Sequence, residues 1–331
     1  MRIFNPVFGL IFILLFVFQT TNAALIDRPE VKEFIDEMVV EHDFDAEMLT
    51  DIFDKATLSK SIVKAISRPA EAKPWYMYRP IFLTDDRINS GVKFLQQYEE
   101  TLLRAEQVYG VPVEVIVAII GVETRYGKHA GGYKVINSLS TLAFDYPKRS
   151  KFFRSELKEF LLMTREQGMD PLLVMGSYAG AMGIPQFISS SFRNFAIDFD
   201  EDGKIDIWIN PVDAIGSVGN YFKEHGWQAG KRIAIPAQVT SDSYLAALTD
   251  SLEPHLKIDE LAEFGISAEL RPDDSAEIKF LEYELKDGQE FWLGFDNFYV
   301  ITRYNHSALY AMAVFQLSNE IRTKYNSINE N

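Results

Sequence analysis

Cysteine is absent from the 331-residue sequence. Its absence excludes disulfide bonds, thiolate metal ligands and cysteine nucleophiles, and it removes the residue through which a bacterial lipoprotein is anchored to lipid. Histidine is scarce, with 5 residues and no His-Glu-x-x-His spacing, so we assign no catalytic zinc. No Gly-Lys-Ser/Thr follows the glycine-rich stretch GSYAGAMGIPQF, which excludes a nucleotide-binding P-loop. We therefore expect no organic cofactor.

Positive charge is also in short supply. The chain has 33 Lys+Arg against 48 Asp+Glu, a formal charge of -15, and no basic cluster stands out. Such a surface repels a phosphate backbone, so we expect no nucleic-acid partner. The 47% hydrophobic and 13% aromatic content can bury a sizeable core, which excludes a disordered or fibrous chain.

The N-terminus, residues 1–23, is typical of an export signal. Arg2 supplies a positive charge, residues 7–18 are apolar, and the small-residue tripeptide TNA suits cleavage before Ala24. The alternative is an uncleaved membrane anchor, but this apolar run falls short of the roughly 20 residues that span a bilayer. We predict an exported, periplasmic protein without a lipid anchor.

Helical periodicity dominates the chain on both sides of a strand-rich segment. It covers the start of the mature chain, resumes over 85–109, 112–124 and 152–167, and returns in SALYAMAVFQLSNEIR. Between them, KRIAIPAQVT and IKFLEYELKDGQEFWLGF have strand character, the second around an Asp-Gly hairpin signal. SRPAEAKPWYMYRPIF is proline-rich and is predicted to be an irregular connector. The first two helical stripes consist of Val31, Phe34, Ile35 and Met38, then Met48, Leu49, Ile52, Phe53 and Ala56.

A carboxylate interrupts the apolar stripe of the 112–124 helix. Glu123, in GVETRYG, lies three residues after Ile120 and on the same face, whereas Glu114 projects about 180° away and is predicted to face solvent. Burial would raise the pKa of the Glu123 carboxyl and keep a proton available, as a general acid requires. The alternative is a structural glutamate paired with a neighbour such as Arg125. The stripe consists of Val113, Ile116, Val117 and Ile120.

The segment DFDEDGKIDIW has the spacing of a calcium-binding loop. Aspartates occupy loop positions 1, 3, 5 and 9, and Gly203 occupies position 6. Hard oxygen ligands suit Ca²⁺ better than zinc. Position 12 is Ile209 instead of the usual glutamate, so Asp213 is our candidate for the missing carboxylate, with the Lys204 carbonyl as a further ligand. An aspartate-rich turn without an ion is the alternative. The predicted metal ligands are Asp198, Asp200, Asp202, Lys204 and Asp213.

Five motifs resemble the family B lytic murein transglycosylases: GVETRYG, STLAFDYPKR, GSYAGAMGIPQF, PVDAIGSVGNYFKEHGW and TRYNHSALYAMAV. So long a series is more specific than any single short pattern. The resemblance implies a mainly α (α+β) fold, in which a lysozyme-like helical core is flanked by a helical domain and a small β-containing domain. The predicted domains are 24–74 (helical), 75–226 (catalytic core, with the calcium loop at 198–213), 227–300 (β-containing) and 301–331 (a helical segment that returns to the core).

The resemblance also implies roles for individual residues. Glu123 corresponds to the sole catalytic acid, Ser177 can orient its carboxyl, and Gln186 offers an amide donor and acceptor to an acetamido group. Taken alone, a tyrosine is more often packing, and a basic pair is more often solvated surface charge. The remaining predicted cleft residues are Tyr221, Tyr304 and Asn305, an aromatic platform at Tyr78, and the basic pair Lys148 and Arg149 for the anionic lactyl or peptide carboxylates.

The implied reaction cleaves the β-1,4 bond between N-acetylmuramic acid and N-acetylglucosamine and forms a 1,6-anhydro ring, with Glu123 as acid and then base. Two alternatives stay open. A hydrolytic muramidase would need a second carboxylate, for which Asp145 is the nearest candidate, and a non-catalytic peptidoglycan-binding protein would need none. The predicted partners are peptidoglycan glycan strands and other cell-wall enzymes, and we predict a monomer.

Overall fold

The computed structural model describes residues 25–67, 73–274 and 277–329. The predicted export signal, residues 1–23, lies outside them. Within the described ranges no single helix is both long and apolar enough to cross a membrane, although one bent pair of consecutive helices meets the criteria together.

Two compact units make up the chain. The first ends at Asp54 and contains α1 (Pro29–His42) and most of α2 (Ala46–Lys55). The ring of Phe34 on α1 meets that of Phe53 on α2 edge to face, with 5.8 Å between their centroids. Of the two predicted helical stripes, only Met48 is exposed. The domain boundaries predicted at 74, 226 and 300 stay predictions.

The proline-rich connector is partly helical, contrary to the prediction. It contains α4 (Trp75–Phe82), with Pro74 just before the first turn and Pro80 inside the helix. A proline before the first turn costs no helical hydrogen bond. Trp75 is 1% exposed, and its indole N–H donates to Glu290 of the sheet at 2.7 Å. Burial of this aromatic side chain therefore outweighs the local proline signal.

Helices make up most of the second unit, as predicted. Their bounds are α3 (Lys60–Ile66), α5 (Asp85–Gln97), α6 (Glu99–Tyr109), α7 (Val113–Thr124), α8 (Val135–Asp145), α9 (Ser150–Glu166), α10 (Ser189–Phe195), α11 (Pro211–Glu224), α12 (Asp296–Tyr304) and α13 (Ala308–Asn329). α7 is apolar on every side, and each residue from 115 to 121 is buried. It contacts α5, α6, α11 and α13, which is the environment expected of a core helix.

Glu114, at the start of α7, does not face solvent as predicted. Its side chain is 12% exposed, and Nη1 of Arg322 on α13 donates to it at 3.2 Å. Helical geometry correctly places Glu114 opposite Glu123, but it cannot show that α13 covers that face of α7 as well.

Two antiparallel sheets complete the second unit. A two-stranded sheet pairs β1 (Tyr133–Lys134) with β2 (Met175–Gly176) among the helices. The larger sheet has the order β4-β6-β7-β3-β5, and the β6–β7 hairpin turns at Gly288 (φ 100°), which confirms the predicted hairpin. A mainly helical fold with a small β region confirms the predicted fold class. The strands of the larger sheet are β3 (Ala234–Val239), β4 (Leu256–Lys257), β5 (Ile266–Ala268), β6 (Glu277–Glu284) and β7 (Gln289–Gly294).

Candidate active site

Glu123 lies in the last turn of α7, where its side chain is half-buried. The hydroxyl of Tyr310 on α13 donates to Oε1 of Glu123 at 2.5 Å, a separation typical of a charge-assisted hydrogen bond. Tyr310 is 2% exposed, and burial together with the charge of Glu123 raises the pKa of its hydroxyl well above the ordinary value. Tyr310 therefore stays protonated at neutral pH and holds one carboxyl oxygen in place.

The backbone turns sharply directly after α7. Arg125 (φ 51°) and Tyr126 (φ 62°) are both left-handed, a conformation that costs energy in residues other than glycine. The hydroxyl of Tyr126 donates to the carbonyl of Arg87 at 2.8 Å. A Cβ on Gly121 would lie 2.6 Å from that hydroxyl, so glycine makes room for the ring. The anchored turn fixes the end of α7 and hence the place of Glu123, and it leaves Arg125 exposed.

Ser177 directly follows β2. Its hydroxyl oxygen accepts the backbone N–H groups of Ala181 at 3.0 Å and Ala179 at 3.3 Å, and its carbonyl accepts the hydroxyl of Ser138 at 3.1 Å. These bonds occupy the lone pairs of the Ser177 hydroxyl and leave its hydrogen for another acceptor. Its role in orienting the Glu123 carboxyl stays a prediction.

Gln186 is left-handed, with φ 53°. Its Nε2 donates to the carbonyls of Ala130 at 3.1 Å and Gly183 at 2.9 Å. Both amide hydrogens are therefore engaged, and only the side-chain carbonyl is left to meet a ligand. The prediction that this amide offers both a donor and an acceptor is corrected to an acceptor alone, because the loop carbonyls take the donors.

Two of the predicted cleft tyrosines form one aromatic cluster. The hydroxyl of Tyr304 donates to the carbonyl of Pro185 at 2.6 Å, and its ring lies within 8° of parallel to that of Tyr310. Tyr221 is 6% exposed, its ring centroid is 4.8 Å from that of Tyr304, and its hydroxyl donates to the carbonyl of Arg303 at 2.6 Å. Burial raises the pKa of Tyr221 to about 12. Tyr221 therefore supports the ring of Tyr304 and has its own hydroxyl engaged in the protein.

The other two predicted contacts differ in exposure. Tyr78 is 1% exposed, and its ring centroid lies 5.1 Å from that of Phe82. The helix turns this ring inward, so little of its surface is open to a sugar. Tyr78 is one of the groups that raise the pKa of Tyr310, the partner of Glu123. Its predicted role as an aromatic platform stays a prediction. Asn305 is half-buried, caps the C-terminus of α12, and accepts the N–H of Ser307 on its backbone carbonyl at 2.7 Å.

The predicted calcium loop gathers three carboxylates. Asp198, Asp200 and Asp202 can each place an oxygen within 4.8 Å of the others. Gly203 follows with φ 91°, a conformation that favours glycine. Clustered hard oxygen ligands around a glycine turn fit Ca²⁺.

Asp213 does not belong to that cluster. Its side chain is fully buried, and its two oxygens accept the N–H groups of Phe199 and Asp206, each at 2.8 Å. Asp213 therefore ties the two sides of the loop together. Each of its oxygens accepts one N–H and keeps a second lone pair, so its role as the missing metal ligand stays a prediction. The backbone carbonyl of Lys204 stays a predicted ligand.

Residues 27–319 match the sequence model of the transglycosylase SLT domain family. The chain belongs to this family. It is 42% identical over 305 residues to membrane-bound lytic murein transglycosylase B of Escherichia coli strain K12. The aligned region covers 89% of this chain and 83% of that protein.

Two solved structures of lytic transglycosylases resemble this chain closely. Soluble lytic transglycosylase SltB1 from Pseudomonas aeruginosa has a TM-score of 0.85 and 50% identity over 90% of this chain and 100% of that one. The Escherichia coli lytic transglycosylase Slt35 in complex with calcium has a TM-score of 0.83 and 42% identity over 90% of this chain and 94% of that one.

The contact of Tyr310 with Glu123 was not predicted from the sequence of this transglycosylase-family chain. It lies inside the motif TRYNHSALYAMAV, but on an apolar stretch where a tyrosine usually packs. A buried tyrosine hydroxyl needs a hydrogen-bond partner, which was the available clue. Nothing in the local pattern identifies Glu123 as that partner.

Lys148 and Arg149 lie on the short turn between α8 and α9, and both are exposed. The guanidinium of Arg149 is 4.2 Å from the centroid of the Phe152 ring. Asp145, the carboxylate of the hydrolytic alternative, is exposed at the end of α8. The same helix carries Ser138, which contacts the carbonyl of Ser177. A role in substrate binding for the basic pair stays a prediction.

Proposed function

We propose that this chain is a lytic murein transglycosylase in which Glu123 is the one catalytic acid. The observation that carries the proposal is an acid at the end of a buried helix, held by the hydroxyl of Tyr310 at 2.5 Å. A hydrolytic glycosidase of the usual kind needs two carboxylates. One acid that acts twice suffices when the nucleophile is a hydroxyl of the substrate itself.

In the first step, Glu123 protonates the oxygen that links N-acetylmuramic acid to the next N-acetylglucosamine, and the bond from this oxygen to C1 breaks. The side-chain carbonyl of Gln186 accepts the N–H of the muramic acetamido group. This contact orients the acetamido oxygen toward C1, where it stabilises the developing positive charge. Tyr310 stabilises the carboxylate that Glu123 becomes.

In the second step, the carboxylate of Glu123 removes the proton of the C6 hydroxyl, and O6 bonds to C1. The product is a 1,6-anhydro-N-acetylmuramic acid end, and Glu123 regains its proton. No water is consumed. The two new ends together contain all the atoms of the original strand.

Digestion of purified murein in ¹⁸O-labelled water tests this function by mass spectrometry. We expect every new muramic end to be anhydro and free of label, whereas label in fresh ends would establish hydrolysis. Glu123→Gln should lose all cleavage and remain folded, because it removes the proton donor and keeps the volume. Glu114→Gln, on the same helix, is the matched control and should retain activity.

Two further variants separate the alternatives. Asp145→Asn should cost far less activity than Glu123→Gln, because a single acid needs no second carboxylate. Equal losses would favour the muramidase. A wild-type protein that binds murein but releases no product would favour the non-catalytic alternative.

Calcium is the ion that suits the loop over 198–213. Asp198, Asp200 and Asp202, with the Lys204 carbonyl and Asp213, would hold it, and the bound ion would stabilise the loop. Murein lies outside the inner membrane, which agrees with the export signal predicted at the N-terminus. A monomeric state and other cell-wall enzymes as partners stay predictions.

A further inference from the structure

Two loops contact each other, and one of them also contacts the end of α7. The catalytic loop, residues 175–187, carries Ser177 and Gln186, and the metal loop, residues 198–213, carries the aspartate cluster. Each end of the catalytic loop is hydrogen-bonded to the metal loop.

The first bond lies at the start of the catalytic loop. The indole N–H of Trp208 donates to the carbonyl of Met175 at 3.1 Å, two residues before Ser177. The ring of Trp208 also lies 5.6 Å from that of Phe192, measured between centroids. The metal loop therefore supports the strand that leads into Ser177.

The second bond lies near the end of the catalytic loop. The N–H of Ile184, two residues before Gln186, donates to the carbonyl of Ile207 at 2.8 Å. A Cβ on Gly183 would lie 2.5 Å from the same carbonyl oxygen, so the two backbones approach as closely as glycine allows. A shift of Ile207 must therefore be transmitted to the catalytic loop.

Ile184 is bonded in turn to the residue after the catalytic acid. The hydroxyl of Thr124 donates to the carbonyl of Ile184 at 2.9 Å and accepts the N–H of Gly127 at 2.9 Å. Thr124 is fully buried, so these bonds do not exchange with water. Its chain neighbour is Glu123. Two hydrogen bonds therefore connect the metal loop to the end of α7.

We propose that the metal loop positions Glu123 through Ile184, with Thr124 and Trp208 as positioning residues. The proposal rests on the proposed role of Glu123 as the catalytic acid. Oδ2 of Asp200 accepts the side-chain amide of Asn210 at 2.9 Å, two residues after Trp208. An ion held by the aspartate cluster would therefore restrain the backbone at 207 and 208, and with it the catalytic loop against α7. Coupling between two binding sites is reciprocal. If bound Ca²⁺ raises the affinity of the cleft for sugar by some factor, bound sugar must raise the affinity of the loop for Ca²⁺ by the same factor.

The first test compares Thr124→Val, which keeps the shape and removes the hydroxyl, with Thr124→Ser, which restores it. We expect Thr124→Val to lower kcat about 10- to 100-fold with a much smaller change in KM, as a displaced catalytic group does. Thr124→Ser should recover most of that loss. A lowered melting temperature with unchanged kcat would show that Thr124 is structural only and would overturn the proposal.

If Thr124→Val does not fold, Trp208→Phe tests the same proposal at the other contact between the loops. Phenylalanine retains a smaller aromatic ring near Phe192 and removes the N–H that reaches Met175. We expect kcat to fall about three- to tenfold, less than for Thr124→Val, because one of the two contacts between the loops survives. A kcat equal to that of the wild type would overturn the proposal.

The second test measures coupling by titration calorimetry in the Glu123→Gln protein, which binds glycan without cleaving it. Ca²⁺ is titrated with and without the tetramer of N-acetylglucosamine, and the tetramer with and without Ca²⁺. We expect both affinities to rise by the same factor, about fivefold or more, and the effect to vanish in Asp200→Ala/Asp202→Ala. A factor of one, or no binding of Ca²⁺ by the loop, overturns the coupling. Formation of anhydro ends by the wild type would still support the proposed function.

Discussion

The hydroxyl of Tyr310 lies 2.5 Å from Oε1 of Glu123, although 187 positions separate the two residues in the chain. The contact exists because α13 packs on α7. The orientation of Glu123, the proposed catalytic acid, thus depends on a helix far from it in the sequence. α13 also packs on α4, α5 and α12, and these contacts hold it in place beside α7.

Tyr310→Phe should lower kcat about 10- to 100-fold, because a hydrogen bond to a charged group contributes about 1.5–3 kcal/mol. The ring stays, so the parallel contact with Tyr304 survives. The basic limb of the pH–rate profile should move to higher pH, because the carboxylate form of Glu123 loses a donor and becomes less favourable. The measurement is the release of anhydro ends as a function of pH.

Tyr325→Phe is the matched control for that variant. Tyr325 lies on the same helix, and its hydroxyl donates to Glu99 at 2.6 Å on the exposed surface. Its loss should leave kcat unchanged and stability within about 0.5 kcal/mol of the wild type. If both variants lost kcat equally, the cause would be a change in the packing of α13 and not the lost hydrogen bond to Glu123.

Gly131 tests how tightly the catalytic loop is packed. A Cβ there would lie 2.2 Å from the carbonyl carbon of Gly176 and 2.5 Å from the nitrogen of Ser177, at a φ of +99°. Gly131→Ala should therefore displace Ser177, cost about 1–3 kcal/mol of stability and lower kcat more than tenfold. Gly132→Ala is the control, since nothing lies within 4 Å of its Cβ. The measurements are the melting temperature and kcat of both variants. A Gly131→Ala protein with wild-type melting temperature and kcat would contradict the packing argument.

Local pattern suffices for the parts of the site that lie within one motif. Helical spacing places Glu123 at the end of α7, and the Asp287-Gly288 pair predicts the hairpin turn. Both depend on backbone preferences that neighbouring residues determine. The spacing of the aspartates likewise predicts their cluster, because one tight turn brings them together.

Partners that come from distant helices could not be predicted in this way. Tyr310 is assigned to Glu123 only by the packing of α13, and Tyr78 is buried where α4 packs on α13 and the sheet. Asp213 follows the calcium motif closely in sequence, and its oxygens also accept two backbone N–H groups of the loop, which the spacing of the motif does not indicate. In each case the deciding energy is a tertiary contact that the periodicity of one segment does not contain.

Glu156 should make stability depend on pH. It is 4% exposed and accepts the N–H and the hydroxyl of Ser190 at 3.0 and 2.8 Å. Burial is the largest influence on its carboxyl and raises its pKa above 4.5. Folding therefore favours the protonated form, so this contribution to stability is present below the ordinary pKa and is lost as the pH rises through the raised one.

Glu156→Gln should accordingly melt at a higher temperature than the wild type at pH 8, because it removes the cost of burying a charge. The amide can still accept from and donate to Ser190. The difference should shrink as the pH falls toward 4.5, the ordinary glutamate value. Melting followed by circular dichroism across this range is the measurement, and a difference that stays constant with pH would rule out titration of Glu156 as its source.

Calcium should act on stability through the loop over 198–213. An ion that binds only the folded state adds about 2.7 kcal/mol to the free energy of unfolding when its concentration is 100 times the dissociation constant. Chelation should therefore lower the melting temperature of the wild type but not that of Asp200→Ala/Asp202→Ala, which lacks two carboxylates of the cluster. Asp213→Asn should melt lower than the wild type even in chelator, because its oxygens accept two backbone N–H groups and an amide replaces one of them with a donor. If wild type and double variant respond equally to the chelator, the ion does not bind in this loop.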